Sequence, residues 1–116
     1  MSRLPNARRA IIPEAKVVGY LLSRTHAFGR TKAVFFESFG FSPAAWQALR
    51  QALLDHAERG DIVKTEETPF GRKFVVEGPL GTPDSRDPAG RAVWFIETGE
   101  SRPRFVTAYP VAGGVT

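Results

Sequence analysis

Ser42-Pro43-Ala44-Ala45-Trp46-Gln47-Ala48-Leu49-Arg50-Gln51-Ala52-Leu53-Leu54-Asp55-His56-Ala57-Glu58-Arg59-Gly60-Asp61-Ile62-Val63-Lys64-Thr65-Glu66-Glu67 carries the chain from one kind of order to another. Ser42 and Pro43 supply an N-cap and a first-turn proline. Trp46, Leu49, Leu53 and Ala57 then recur at spacings of three and four until Gly60 stops the run, which predicts an amphipathic helix. Beyond Gly60 the pattern becomes strand-like.

Working toward the N-terminus, Pro13 and Glu14 suit the first turn of a helix. Val17, Val18, Tyr20, Leu21 and Leu22 give that helix an apolar side to about Ser23. A further helix is predicted from about Thr31, carrying Ala33, Val34, Phe35, Phe36 and Phe39 before Gly40. It is nearly all apolar and is expected to be buried. Working toward the C-terminus, residues 62–67 and 72–77 flank the turn Thr68-Pro69-Phe70-Gly71, and residues 91–98 and 104–109 flank Gly99-Glu100-Ser101-Arg102-Pro103. A Gly/Pro/Asp-rich loop from Gly78 to Gly90 joins the two hairpins. The expectation is a single α+β domain over 1–116: three N-terminal helices packed on one face of a four-stranded antiparallel sheet, with an extended arm at 1–12 and a flexible tail at 111–116.

Composition excludes several chemistries. The absence of cysteine rules out disulfides, thiol catalysis and Cys-based metal sites, and two histidines make no His-rich zinc centre. No Asp/Glu constellation has the spacing of a metal site, and no cofactor fingerprint occurs, so neither a metal nor a cofactor is expected. Sixteen Lys and Arg against twelve Asp and Glu give a formal charge of +4, a mild bias toward phosphate partners. No apolar run approaches the roughly 20 residues of a membrane span, and the basic N-terminus lacks the apolar block of a secretory signal. The expected location is cytoplasmic, with no membrane partner.

The chemistry concentrates in Tyr20-Leu21-Leu22-Ser23-Arg24-Thr25-His26-Ala27-Phe28-Gly29-Arg30-Thr31-Lys32-Ala33. His26 can move protons near neutral pH. Lys32 adds a fixed cation to a helix N-terminus whose free N–H groups attract anions, with Gly29 and Arg30 beside it as phosphate-binding candidates. On the sheet, simple alternation puts Arg104, Val106 and Ala108 on one face and Phe105, Thr107 and Tyr109 on the other; the face covered by the helices is left open. Arg104 on the open face would meet Arg72 or Lys73 in a basic patch, with Phe70 exposed for base stacking.

Metal-independent RNA cleavage needs a base for the 2'-hydroxyl proton, an acid for the leaving oxygen and cations for the charged phosphorane. His26 fits base or acid, Lys32 and Arg104 fit charge stabilisation, and Tyr109 or Thr107 fits orientation or proton donation. Structural roles compete with each of these. A loop histidine can simply cap a helix and Lys32 can be a solvated first-turn residue, whereas His56 falls on the edge of an apolar stripe and Trp94 reads as core.

Leu4-Pro5-Asn6-Ala7, the His-x-x-Gly-x-x-Lys-Ala motif of 26–33, Phe39-Gly40-Phe41 and Val93-Trp94-Phe95-Ile96-Glu97-Thr98-Gly99 together resemble a bacterial family of uncharacterised small domains. The element order and the His/Lys loop also resemble the broader group of barnase, EndoU, tRNase colicins and RelE-type toxins. The resemblance implies a helix-then-sheet domain acting as a metal-independent endoribonuclease. It also implies a domain encoded beside a small cognate antitoxin or immunity protein, or at the end of a larger toxin. His26, Gly29 and Lys32 fall on the shared motif, and Thr98 and Tyr109 fall where polar strand residues are expected. Ala27 departs from it, standing where the pattern has Pro. Two other readings compete: a non-catalytic module, either a toxin-system partner protein or an RNA-binding regulator, and a homodimer formed through a sheet edge.

Overall fold

Glu14 opens the helical half of the molecule, which is less regular than its sequence predicts. The computed structural model describes residues 2–23, 25 and 30–111, apart from the side chain of Arg30. His26, Gly29 and the tail at 112–116 lie outside the described residues. The first helix, α1, is one α-helical turn at Glu14–Lys16 that continues as a π-helical segment at Val17–Leu21. Leu22 N–H reaches Val17 O at 2.8 Å, five residues back. Pro13 is the N-cap in extended conformation, not a first-turn residue, and no side chain caps the helix. A segment this short cannot sustain regular helix by propensity. Burial of Val17, Leu21 and Leu22 holds it in place.

The second helix, α2, spans Arg30–Ser38 and corrects the expectation of a wholly buried helix. Ala33 and Phe36 are buried, Phe35 and Phe39 are half-buried, and Val34 is 55% exposed. One stripe at a spacing of three faces the sheet, and Val34 points away from it. Gly40, at φ 101°, ends the helix. The third helix fits its sequence closely: Ser42 Oγ accepts from Ala45 N–H at 3.3 Å, a 3-10 turn at Pro43–Ala45 follows, and α3 runs over Trp46–Arg59. Leu49, Ala52, Leu53, His56 and Ala57 form its buried stripe.

Strands β1 (Asp61–Thr68), β2 (Gly71–Pro79), β3 (Ala89–Glu97) and β4 (Arg104–Pro110) make an antiparallel meander in the order β1-β2-β3-β4. The two-residue turn at Pro69 and Phe70 depends on Gly71, whose φ is 151° and where a Cβ would overlap the Ile96 carbonyl oxygen. Thr98, expected at the end of a strand, lies in the turn that follows β3, and its N–H reaches Phe70 O.

Two bulges decide the faces. The pairs Ile62↔Val76 and Lys64↔Val75 leave Val63 without a partner, and Val93↔Thr107 and Trp94↔Phe105 leave Val106 without one. An extra residue inverts the alternation beyond it. Phe105 and Ala108, three positions apart, therefore both face the helices, with Phe74, Val76, Ala92 and Trp94. This overturns the expectation that Arg104, Val106 and Ala108 share a face. Trp94 is fully buried, edge-to-face with Phe105 at 5.4 Å, so it belongs to the core.

The N-terminal arm is partly helical, with a 3-10 turn at Ala7–Arg9, and is anchored by buried Leu4 and Ile12. Ser2 O accepts from Ile62 N–H on β1 at 2.9 Å, while Ile11 bridges to β4 through Pro103 O and Phe105 N–H.

Candidate functional site

On the face turned away from the helices, residues stand in rows set by the strand register. One row crosses the end of the sheet nearest α2. Asp61 pairs with Glu77, Glu77 with Arg91, and Arg91 with Tyr109. Lys32, in the first turn of α2, continues the row around the β4 edge: its Nζ donates to Ala108 O at 3.1 Å and lies 5.6 Å from the centroid of the Tyr109 ring. Arg91 Nε donates to Glu77 Oε1 at 2.7 Å, and the guanidinium also interacts with the Tyr109 side chain. The hydrogen bond to Glu77, above all, holds Arg91 more firmly in its charged form than usual.

The next row is Val75, Val93 and Thr107. Both valines are 7% exposed. Thr107 Oγ1 lies 3.0 Å from Tyr20 Oη. Lys73, Phe95 and Arg104 form the third row, with Lys73 Nζ 3.3 Å from Glu66 and Arg104 Nη1 3.0 Å from Glu97.

The structure thus brings Lys32 and Tyr109 together and puts Arg104 at the other end of β4, five residues away, or about 16 Å along a strand. Arg72 pairs with Ile96 on the helix-side face and is held by Glu67 at 3.1 Å, so it does not join Lys73 and Arg104 in a basic patch. Phe70, at the hairpin tip, is 78% exposed. Arg30 opens α2. Among the described residues, no group of three His, Cys, Asp or Glu could hold a metal ion. Glu77 and Arg91 were missed by sequence reasoning: the bulge at Val106 sets Arg91 beside Tyr109, where regular pairing from Phe95 and Arg104 would have set it beside Ala108.

The outer edge of β4 is closed. Ile11 takes the Pro103 and Phe105 backbone groups, Lys16 Nζ donates to Val106 O at 3.2 Å, and Lys32 takes Ala108 O. β4 consequently offers no free strand for the homodimer expected through a sheet edge.

His56 has a structural place. It is 3% exposed on α3, and its Nε2–H donates to Gly90 O at 2.9 Å. Gly78 and Gly90 face each other across β2 and β3, and the missing side chains leave room for the ring. Burial pushes its pKa below the usual value, outweighing the Gly90 and Gly78 backbone groups that favour the charged ring.

An α+β domain of three helices and a four-stranded antiparallel meander, with a polar row across one end of its open face, is the class these features define. The chain belongs to the DUF6883 family, a domain of unknown function, whose model matches residues 3–112. Comparison with curated proteins gave no match. Among solved structures, the fold is similar to that of a chain in a contact-dependent growth inhibition toxin–immunity protein complex from Klebsiella pneumoniae 342, with a TM-score of 0.67 and 17% identity over 90% of this chain and 95% of that one. No helix among the described residues is long and apolar enough to cross a membrane.

Proposed function

We propose that this domain is a toxin-type, metal-independent endoribonuclease whose site lies at the α2 end of the open sheet face. The observation that carries this reading is the approach of an ammonium, Lys32 Nζ, to within 5.6 Å of the centroid of the Tyr109 phenol ring, on the helix start that follows His26 in sequence. Among the described residues Lys32 Nζ donates to Ala108 O, and an ammonium has two further N–H donors that a phosphate could take. In the proposed step, His26 takes the proton of an RNA 2'-hydroxyl as that oxygen bonds to phosphorus. The P–O5' bond breaks and Tyr109 or the same histidine protonates the departing 5'-oxygen, giving a 2',3'-cyclic phosphate and a free 5'-hydroxyl. Lys32 offsets the charge that gathers on the phosphorane. Likeness of fold to a chain of a toxin–immunity complex supports a place in such a system, with a small immunity protein as partner.

The same likeness supports a second reading, a non-catalytic partner protein of a toxin. Purified protein and its His26→Ala variant, incubated with total bacterial RNA in EDTA and resolved on a denaturing gel, separate the two. Cleavage by the wild type alone supports the ribonuclease. Intact RNA in both lanes, at protein above stoichiometric, transfers the assignment to the partner protein.

A further inference from the structure

Arg91 sits at the centre of the terminal row, with Glu77 on one side and Tyr109 on the other. Its Nε is committed to Glu77 at 2.7 Å, yet its side chain is 40% exposed, and a guanidinium carries five N–H donors in a rigid planar fork. A carboxylate gripping Nε fixes the plane of that fork, and although Tyr109 engages part of the guanidinium, its five N–H groups outnumber these two partners and leave donors to meet an anion. Tyr109 separates Arg91 from Lys32, so the row presents cation, phenol, cation across three neighbouring positions. Arg104 and Lys73, the basic pair of the third row, are each occupied by a carboxylate and lie at the far end of the face.

We infer that Arg91 is the principal phosphate-binding residue of this face, gripping the non-bridging oxygens of a single-stranded RNA phosphodiester through its outer N–H groups. Glu77 is the positioning residue that sets its orientation. The inference rests on the ribonuclease reading for its cleavage consequences but not for its binding consequences. Single-stranded RNA is the fitting ligand because the row carries the half-buried Tyr109 ring between its two cations, so an unpaired backbone can meet the cations while a splayed base meets the ring. Arg is required rather than any cation, since its fork matches two phosphate oxygens at once.

The test uses the full chain and two RNAs of one sequence: an unmodified single strand, and a fluorescent 2'-O-methyl version that cannot be cut by 2'-oxygen attack. Binding to the second is followed by anisotropy across a salt series, and cleavage of the first is measured in EDTA. Arg91→Gln is expected to lower kcat/KM by about 100-fold, as loss of one preorganised charge-stabilising donor does. It should also flatten the slope of log affinity against log salt by about 0.7, the value of one single-strand phosphate contact. Arg91→Lys should restore the salt slope but little of the rate. Glu77→Gln should raise KM more than it lowers kcat. Arg8→Gln, on the 91%-exposed side chain of the N-terminal turn, should behave as wild type. Thermal melts of each variant establish that it folds.

A folded Arg91→Gln protein with wild-type cleavage and an unchanged salt slope overturns the inference. Wild-type protein that binds the 2'-O-methyl strand through Arg91 but leaves the unmodified strand intact upholds it while removing the ribonuclease reading. Wild-type protein that neither binds nor cleaves removes both.

Discussion

Lys32→Met separates the structural work of this residue from its chemical work. Methionine keeps an unbranched stem of similar length and the helix propensity, and removes only the ammonium. Two interactions are then lost: the hydrogen bond to Ala108 O at 3.1 Å and the contact with the Tyr109 ring at 5.6 Å. A hydrogen bond from a charged donor contributes about 1.5–3 kcal/mol and a partly exposed cation–π contact about 0.5–1 kcal/mol. Lys32 is half-buried, so the low end of both ranges applies and the loss is about 2 kcal/mol. At about 2.1 cal/mol/K per residue, 116 residues give an unfolding entropy of about 0.24 kcal/mol/K, so Tm should fall by about 8 °C. Circular dichroism at 222 nm, read through a slow thermal ramp at pH 7 and moderate salt, measures it. A Tm within about 2 °C of wild type would refute the idea that this ammonium ties α2 to the sheet, and would leave Lys32 a free surface cation.

The remaining predictions concern stability. His56 is held below its ordinary pKa in the folded protein, so the unfolded chain binds a proton near pH 6.5 that the folded chain refuses. Stability is therefore full above about pH 7 and declines as pH falls through 6.5 and below. His56→Gln should flatten that decline in a Tm series from pH 7.5 to 5, and identical slopes for the two proteins would count against the assignment. Gly71→Ala forces a side chain into φ 151° and onto the Ile96 carbonyl oxygen, at a cost of about 2 kcal/mol or more. Its urea midpoint should fall at unchanged slope, and an unshifted midpoint would show that the hairpin does not need glycine there.

The sheet and α3 were legible because each is specified locally. Ser42-Pro43 and the stripe through Leu49, Leu53 and Ala57 define α3, and Pro69-Phe70-Gly71 defines the first hairpin whatever else the chain does. The site was legible only in part. Lys32 and Tyr109 could be named from their residue types, but their meeting depends on the start of α2 coming within side-chain reach of β4, a contact between distant segments with no local signal. The sides of β4 were misread because a bulge leaves no mark in composition: Val106 is as good a strand residue as Val93. Arg91 escaped notice for the opposite reason. It reads as an ordinary polar strand position, and only the register gives it Glu77 and Tyr109 as neighbours.

The arm that reaches β1 through Ser2 and β4 through Ile11 has a kinetic consequence. The meander pairs each strand with the next, so its hairpins close short loops and form early. The arm belongs to the other end of the folding timeline, since Asn6 meets Ser101 across 95 residues of chain. Docking of the arm sets Ser2 against the start of β1 and Ile11 against the start of β4, and until it happens those ends of the edge strands lack these partners. The arm is thus among the last segments to find its place, and the interval before it does is when a half-folded molecule is most exposed to pairing with a neighbour.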